Sequence, residues 1–121
     1  MELLGLDHVA MVVADVERSV AWYLDVLGFE RMYSDQWGGV PAFVGIGGTG
    51  LALFPARNAG SKGSGILHVA FRATRDSFLA AQHQLKTRKI QFSFEDHGIS
   101  LSIYFSDPDG HQLEITTYEL K

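Results

Sequence analysis

Leu6-Asp7-His8-Val9-Ala10 returns later in the chain as Ile66-Leu67-His68-Val69-Ala70. Two apolar, strand-like pentapeptides with a histidine at the same place mark an internal repeat, and a repeat governs how everything between its copies is read. Each copy leads into a helix-like stretch. Asp15 is a suitable N-cap, Val16, Val20, Tyr23 and Leu27 follow on one helical face, and Gly28 is placed to end the helix. The second helix is expected to start near Thr74 or Asp76 and to bury Phe78, Ala81 and Leu85. Lys86, Arg88 and Lys89 close it, where positive charge suits the helix dipole.

After each helix come short strands. The first set falls roughly at 31–35, 40–45 and 51–54, the second at 90–95, 100–106 and 111–117. Gly38-Gly39 and Gly47-Gly48-Thr49-Gly50 punctuate the first set. Asp107-Pro108-Asp109-Gly110 is a turn signal that joins the last two strands as a hairpin. The fold class is therefore α+β, with two tandem βαβββ modules in one domain. Module 1 spans about 1–55, a Gly-, Ser- and Ala-rich connector 56–65, and module 2 about 66–121.

Composition narrows the function. The 121 residues are 46% apolar and 20% charged, as in ordinary globular domains, which excludes disorder and fibrous repeats. The net charge of -4 and the scatter of the ten basic residues argue against nucleic acid and anionic membranes as partners. With no cysteine there is no disulfide and no thiolate ligand. No apolar run approaches a membrane span and no basic leader precedes one, so the expected location is the cytoplasm.

Strand alternation assigns side chains to faces. Leu6, His8, Ala10 and Val12 share one face of the first strand; Ile66, His68, Ala70 and Arg72 share the equivalent face of its echo. In the last hairpin Leu101, Ile103 and Phe105 oppose Ser102, Tyr104 and Ser106, while Leu113 and Ile115 oppose Gln112, Glu114 and Thr116. If the apolar sides pack under the helices, Tyr104 and Glu114 look to the side of His8 and His68. Two histidines and a carboxylate with open positions suit Fe(II), and also Mn(II), Ni(II) or Zn(II). Such an ion accepts a substrate's oxygens directly. Aligning the halves sets Ala52 against Glu114, so module 1 offers no matching carboxylate.

The duplicated module, the histidine in each first strand, and the run Ser102-Ile103-Tyr104-Phe105-Ser106-Asp107-Pro108-Asp109-Gly110-His111-Gln112-Leu113-Glu114 resemble the vicinal oxygen chelate superfamily. That group includes glyoxalase I, extradiol dioxygenases, fosfomycin-resistance enzymes, methylmalonyl-CoA epimerases and bleomycin-binding proteins. The resemblance implies curved mixed sheets around a metal cleft, with His8, His68 and Glu114 as ligands to a divalent ion. It also implies a small-molecule substrate and a homodimer whose subunits share the site. Ala52 stands where glyoxalase I carries a fourth ligand. The fosfomycin enzymes share the three-ligand set but usually have a hydroxyl residue where this chain has Ala10. They also need basic groups that are hard to find around Glu95–Ser100. His97, Ile103, Tyr104, Asp107, Pro108, Gly110 and Glu114 follow the extradiol order, although Glu95 departs from it. In that reading His97 and Tyr104 join Glu114 as catalytic residues.

Ring cleavage, thiol addition and isomerisation all stay open, as does a non-catalytic drug-binding protein of the bleomycin type. The bland alternatives are half-buried strand histidines for His8 and His68, a space-filling Tyr104, a solvated loop for His97, and a structural or surface role for His111. For Trp22 and Trp37, core or interface packing is expected before a pocket wall.

Overall fold

The computed structural model describes Glu2, Leu6, residues 8–56 and residues 68–121. Asp7, Ile66 and Leu67 of the repeat, and the connector from 57 onward, lie outside the described residues. The chain divides into two compact units, Met1–Ser64 and Gly65–Lys121.

Unit 1 comprises β1 (His8–Val13), α1 (Val16–Leu27), β2 (Glu30–Met32), a short 3-10 turn (Trp37–Gly39), β3 (Ala42–Ile46) and β4 (Thr49–Pro55). Its sheet has the order β1-β4-β3-β2, with β1 and β4 parallel and the other pairs antiparallel. Unit 2 comprises β5 (Val69–Arg72), α2 (Arg75–Thr87), β6 (Ser93–Asp96), β7 (Leu101–Ser106) and β8 (Gln112–Thr117). Its order, β5-β8-β7-β6, repeats the first, again with one parallel pair. Each unit is thus βαβββ, in the α+β class.

The helix boundaries follow the capping chemistry. Asp15 accepts the Arg18 amide proton at 3.0 Å, and Thr74 accepts that of Ser77 at 3.2 Å, so each hydroxyl or carboxylate satisfies an N–H that the helix itself cannot. Gly28 ends α1 at φ 69°, a left-handed turn that costs glycine nothing. Val20 and Tyr23 of α1 are buried over Val44, Leu51 and Leu53; Phe78 and Leu85 of α2 are buried in the unit that holds Ile103 and Leu113. Each such apolar side chain contributes about 1.5–3 kcal/mol by leaving water.

Two strands start or stop away from their expected positions, each for a local reason. The strand expected from 90 begins at Ser93, because the end of α2 claims Ile90: its amide donates to the Leu85 carbonyl at 2.9 Å while Lys89 sits at φ 60°. The strand expected to reach 35 stops at Met32, because Tyr33 adopts φ 54° and its carbonyl accepts the Gln36 amide proton in a turn. The Gly47-Gly48 pair, at φ 59° and 84°, turns the β3–β4 hairpin and precedes no helix.

Candidate metal centre

In unit 2 the registers of β5, β7 and β8 converge on one carboxylate. β8 lies between its parallel neighbour β5 and its antiparallel neighbour β7, with Ala70 and Tyr104 both opposite Glu114. Glu114 is buried, at 8% exposure. An isolated buried carboxylate is costly, and this one is held at both oxygens. The Ser102 hydroxyl donates to Oε2 at 2.6 Å, a short charge-assisted bond. His68 Nε2 lies 3.1 Å from Oε1. Ser102 Oγ also lies 3.1 Å from the Thr116 hydroxyl, whose own proton reaches the Leu101 carbonyl at 3.3 Å, so the carboxylate ends a short polar chain.

Tyr104 is on the same face. Its ring meets His68 edge-on at 6.0 Å between centroids, and its hydroxyl lies 3.0 Å from His97 Nε2. Partial burial, then the negative charges of Glu114 and Glu95, hold the Tyr104 hydroxyl above the ordinary phenol range. At neutral pH it is therefore a neutral O–H group. His97 occupies the turn after β6, with its Nε2 3.7 Å from Glu95 Oε2. Tyr104 also walls an open groove of about 670 Å³, lined in part by Gln91, Ser93, Ser106 and Gln112.

His68, Glu114, Tyr104 and His97 thus lie together in unit 2. Ser102 belongs with them, although sequence reasoning assigned it no role. The available signal was its place two residues before Tyr104 on the same face of β7. His8 lies on β1 of unit 1, where its ring meets Phe43 at 5.0 Å. The two registers also confirm the position of Ala52: it pairs with Ala10 and Phe43, as Glu114 pairs with Ala70 and Tyr104.

The same registers expose a difference between the duplicated faces. Where unit 2 has Arg72, Ser93, Tyr104, Glu114 and Thr116, unit 1 has Val12, Met32, Phe43, Ala52 and Phe54. One face is polar, and its equivalent, apart from His8, is apolar. Phe43 is further packed by Trp37 at 5.5 Å and Tyr33 at 5.4 Å. Both outer rings are 55% exposed, so Trp37 is not a core residue; Trp22 is half-buried against Tyr23. Tyr33 and Trp37 hold left-handed backbone, φ 54° and 56°, which costs a non-glycine residue about 1–2 kcal/mol.

Does the donor set fit an ion? Ligands at about 2.0–2.2 Å from a common metal sit roughly 3 Å from each other. The 3.1 Å between His68 Nε2 and Glu114 Oε1 matches two adjacent coordination positions, and Ser102 orients the carboxylate from behind. Asp107, Asp109 and His111 also lie close enough to hold an ion. There, however, Asp107 Oδ1 already accepts the amide protons of Asp109 and His111, both at 2.9 Å, and Oδ2 is 2.8 Å from His111 Nδ1. Those bonds build the hairpin turn and give His111 its structural role.

Residues 5–115 match the Glyoxalase/Bleomycin resistance protein/Dioxygenase superfamily. The chain is 30% identical over 126 aligned positions to metallothiol transferase FosB of Staphylococcus epidermidis, covering 100% of this chain and 87% of that protein. It is 27% identical to glutathione transferase FosA of Serratia marcescens, covering 93% of this chain and 80% of that one. Among solved structures, an integron cassette protein from the mobile metagenome of the Halifax Harbour sewage outfall superposes with TM-score 0.78. That match covers 95% of this chain and 99% of the other at 24% identity, a likeness of fold.

Proposed function

Because the chain belongs to the Glyoxalase/Bleomycin resistance protein/Dioxygenase superfamily, we propose that it is a divalent-metal-dependent enzyme acting on a small substrate held through two neighbouring oxygens. The observation that carries this is the buried Glu114 carboxylate with His68 Nε2 3.1 Å from one oxygen and the Ser102 hydroxyl fixed on the other. The proposed ligands are His68, Glu114 and His8, the last by its equivalence to His68 in the repeat. The ion is Fe(II), Mn(II), Ni(II) or Zn(II). When bound, it polarises substrate oxygen and stabilises developing negative charge.

The chain's own residues supply the rest. Tyr104, neutral and beside Glu114, donates its hydroxyl proton to a substrate oxygen. His97, 3.0 Å from that hydroxyl, takes up or returns a proton as the oxygen's charge changes. Metal-bearing relatives that transfer thiols support the assignment of a metalloenzyme. Ala52 in place of a fourth ligand leaves more positions for substrate. The working form is read as a cytoplasmic homodimer with the site shared between its subunits.

The test is a turnover screen. Protein reconstituted with each of the four ions is offered a catechol with oxygen, fosfomycin with a thiol, and a glutathione hemithioacetal. Turnover of at least one, lost in Glu114→Ala and reduced by about 10²–10⁴ in Tyr104→Phe, is expected if Tyr104 transfers the proton. Metal-loaded protein that turns over none of them, or a Glu114→Ala variant as active as wild type, contradicts the reading.

A further inference from the structure

We propose that the apolar face of unit 1, with its Tyr33–Trp37–Phe43 cluster, is a recognition surface for a flat aromatic ring, so that the favoured substrate carries its two neighbouring oxygens on an aromatic ring. This rests on the metal reading, because it takes His8 as a ligand. It adds what the ligand set does not specify, the chemical body attached to the two oxygens.

The first argument is the contrast between the duplicated faces. The repeat starts from one pattern, yet β2, β3 and β4 carry Met32, Phe43, Ala52 and Phe54 where the second copy carries Ser93, Tyr104, Glu114 and Thr116. The His8 face is apolar and aromatic, whereas the His68 face is charged and hydrogen-bonding.

The second is placement. The His8 ring meets the Phe43 ring edge-on at 5.0 Å, so a molecule held beside His8 is next to Phe43. Trp37 and Tyr33 stand around Phe43 at centroid distances of 5.5 and 5.4 Å, respectively, and meet each other at 5.8 Å. Aromatic rings prefer offset and edge-to-face neighbours at such distances, and a flat ligand can add itself to the cluster. The outer two rings stay more than half exposed. Left-handed backbone at both Tyr33 and Trp37 is an expensive way to present two side chains, and such strain concentrates at ligand-binding positions.

The third is charge. Among the described residues of unit 1 the basic side chains are Arg18, on α1, and Arg31. Arg31 pairs in register with Val44, on the sheet side opposite Phe43, and its guanidinium is bound to both oxygens of Glu17, at 3.0 and 3.1 Å. Among the described residues, the His8 face therefore presents no cation to a phosphonate, while it presents several rings to an aromatic body.

The experiment uses Zn(II)-loaded protein and three probes followed by calorimetry: 4-nitrocatechol, a flat ring with adjacent oxygens; acetohydroxamate, a small non-aromatic chelator; and methylphosphonate. Trp37→Ala is expected to weaken 4-nitrocatechol about five- to tenfold, the loss of one aromatic contact. Acetohydroxamate affinity and zinc content should be unchanged. Tyr33→Ala, at a second exposed ring, should act in the same direction. An equal loss for 4-nitrocatechol and acetohydroxamate, no loss for either, or tighter binding of methylphosphonate overturns the assignment. Wild-type protein that takes up no zinc overturns the metal reading instead. In that event, quenching of indole fluorescence by 4-nitrocatechol that disappears in Trp37→Ala still supports the ring surface, and quenching that persists unchanged overturns it.

Discussion

Glu114 shows what one residue can disclose before a structure exists. Its place in the alternation put it on the face of His68, and the 3.1 Å separation of their ligand atoms agrees with that. What alternation does not disclose is the third partner. Ser102 reads as an ordinary strand serine, and only the β7–β8 register, which sets it against Thr116 and two pairs along from Glu114 on the same face, brings its hydroxyl to 2.6 Å from the carboxylate. If that hydroxyl fixes the carboxylate for metal binding, Ser102→Ala should lower affinity for Zn(II) by about tenfold while far-UV circular dichroism stays unchanged, since removing a partner behind a ligand typically costs 10–100-fold. Competition with a chromophoric chelator checks this, and an unchanged affinity means that Ser102 serves stability alone. From its own residues His97 read as a solvated loop histidine, and only the extradiol resemblance gave it a role with Tyr104, because its 3.0 Å approach to that hydroxyl depends on how the β6–β7 turn folds back.

Elements were more legible than their ends. The caps at Asp15 and Thr74 and the stop at Gly28 were readable, because side-chain oxygens and glycine act on their own backbone. The end of α2 at its basic cluster was readable too, but the way it closes was not, because Lys89 takes a conformation that sequence rules reserve for glycine or asparagine. Lys89 at φ 60° lets the Ile90 amide return to Leu85, which shortens the following strand. The expected consequence is that Lys89→Gly stabilises the protein by about 0.5–1 kcal/mol, the relief of left-handed strain less the added freedom of the unfolded chain. Urea unfolding should show a higher midpoint at constant slope. A lower midpoint means that the Lys89 side chain contributes more than its backbone costs. Tyr33 and Trp37 show the same limit of sequence reading. Their φ values arise from the turn they belong to, so neither the early end of β2 nor the exposure of Trp37 follows from residue type.

At the scale of the whole chain, the duplication was the most legible feature and the division of labour the least. Two histidine-bearing strands announced two βαβββ units, and both sheets have the same strand order. Which copy was polar depended on pairing partners across three strands, and on the single exchange of Ala52 for Glu114 that alignment of the halves had indicated. None of the helices among the described residues is long and apolar enough to cross a membrane. The central claim is that unit 2 holds a metal through its buried carboxylate, Glu114, and His68, the residue just before β5. It is tested most directly by metal stoichiometry after reconstitution and exhaustive dialysis, measured on wild type, Glu114→Ala, His68→Ala and Asp107→Ala. The account predicts about one equivalent of divalent ion per chain in wild type, and affinity lowered at least about 100-fold by either the Glu114 or the His68 substitution. Metal retained by Glu114→Ala and His68→Ala but lost in Asp107→Ala would contradict it and move the ion to the hairpin turn.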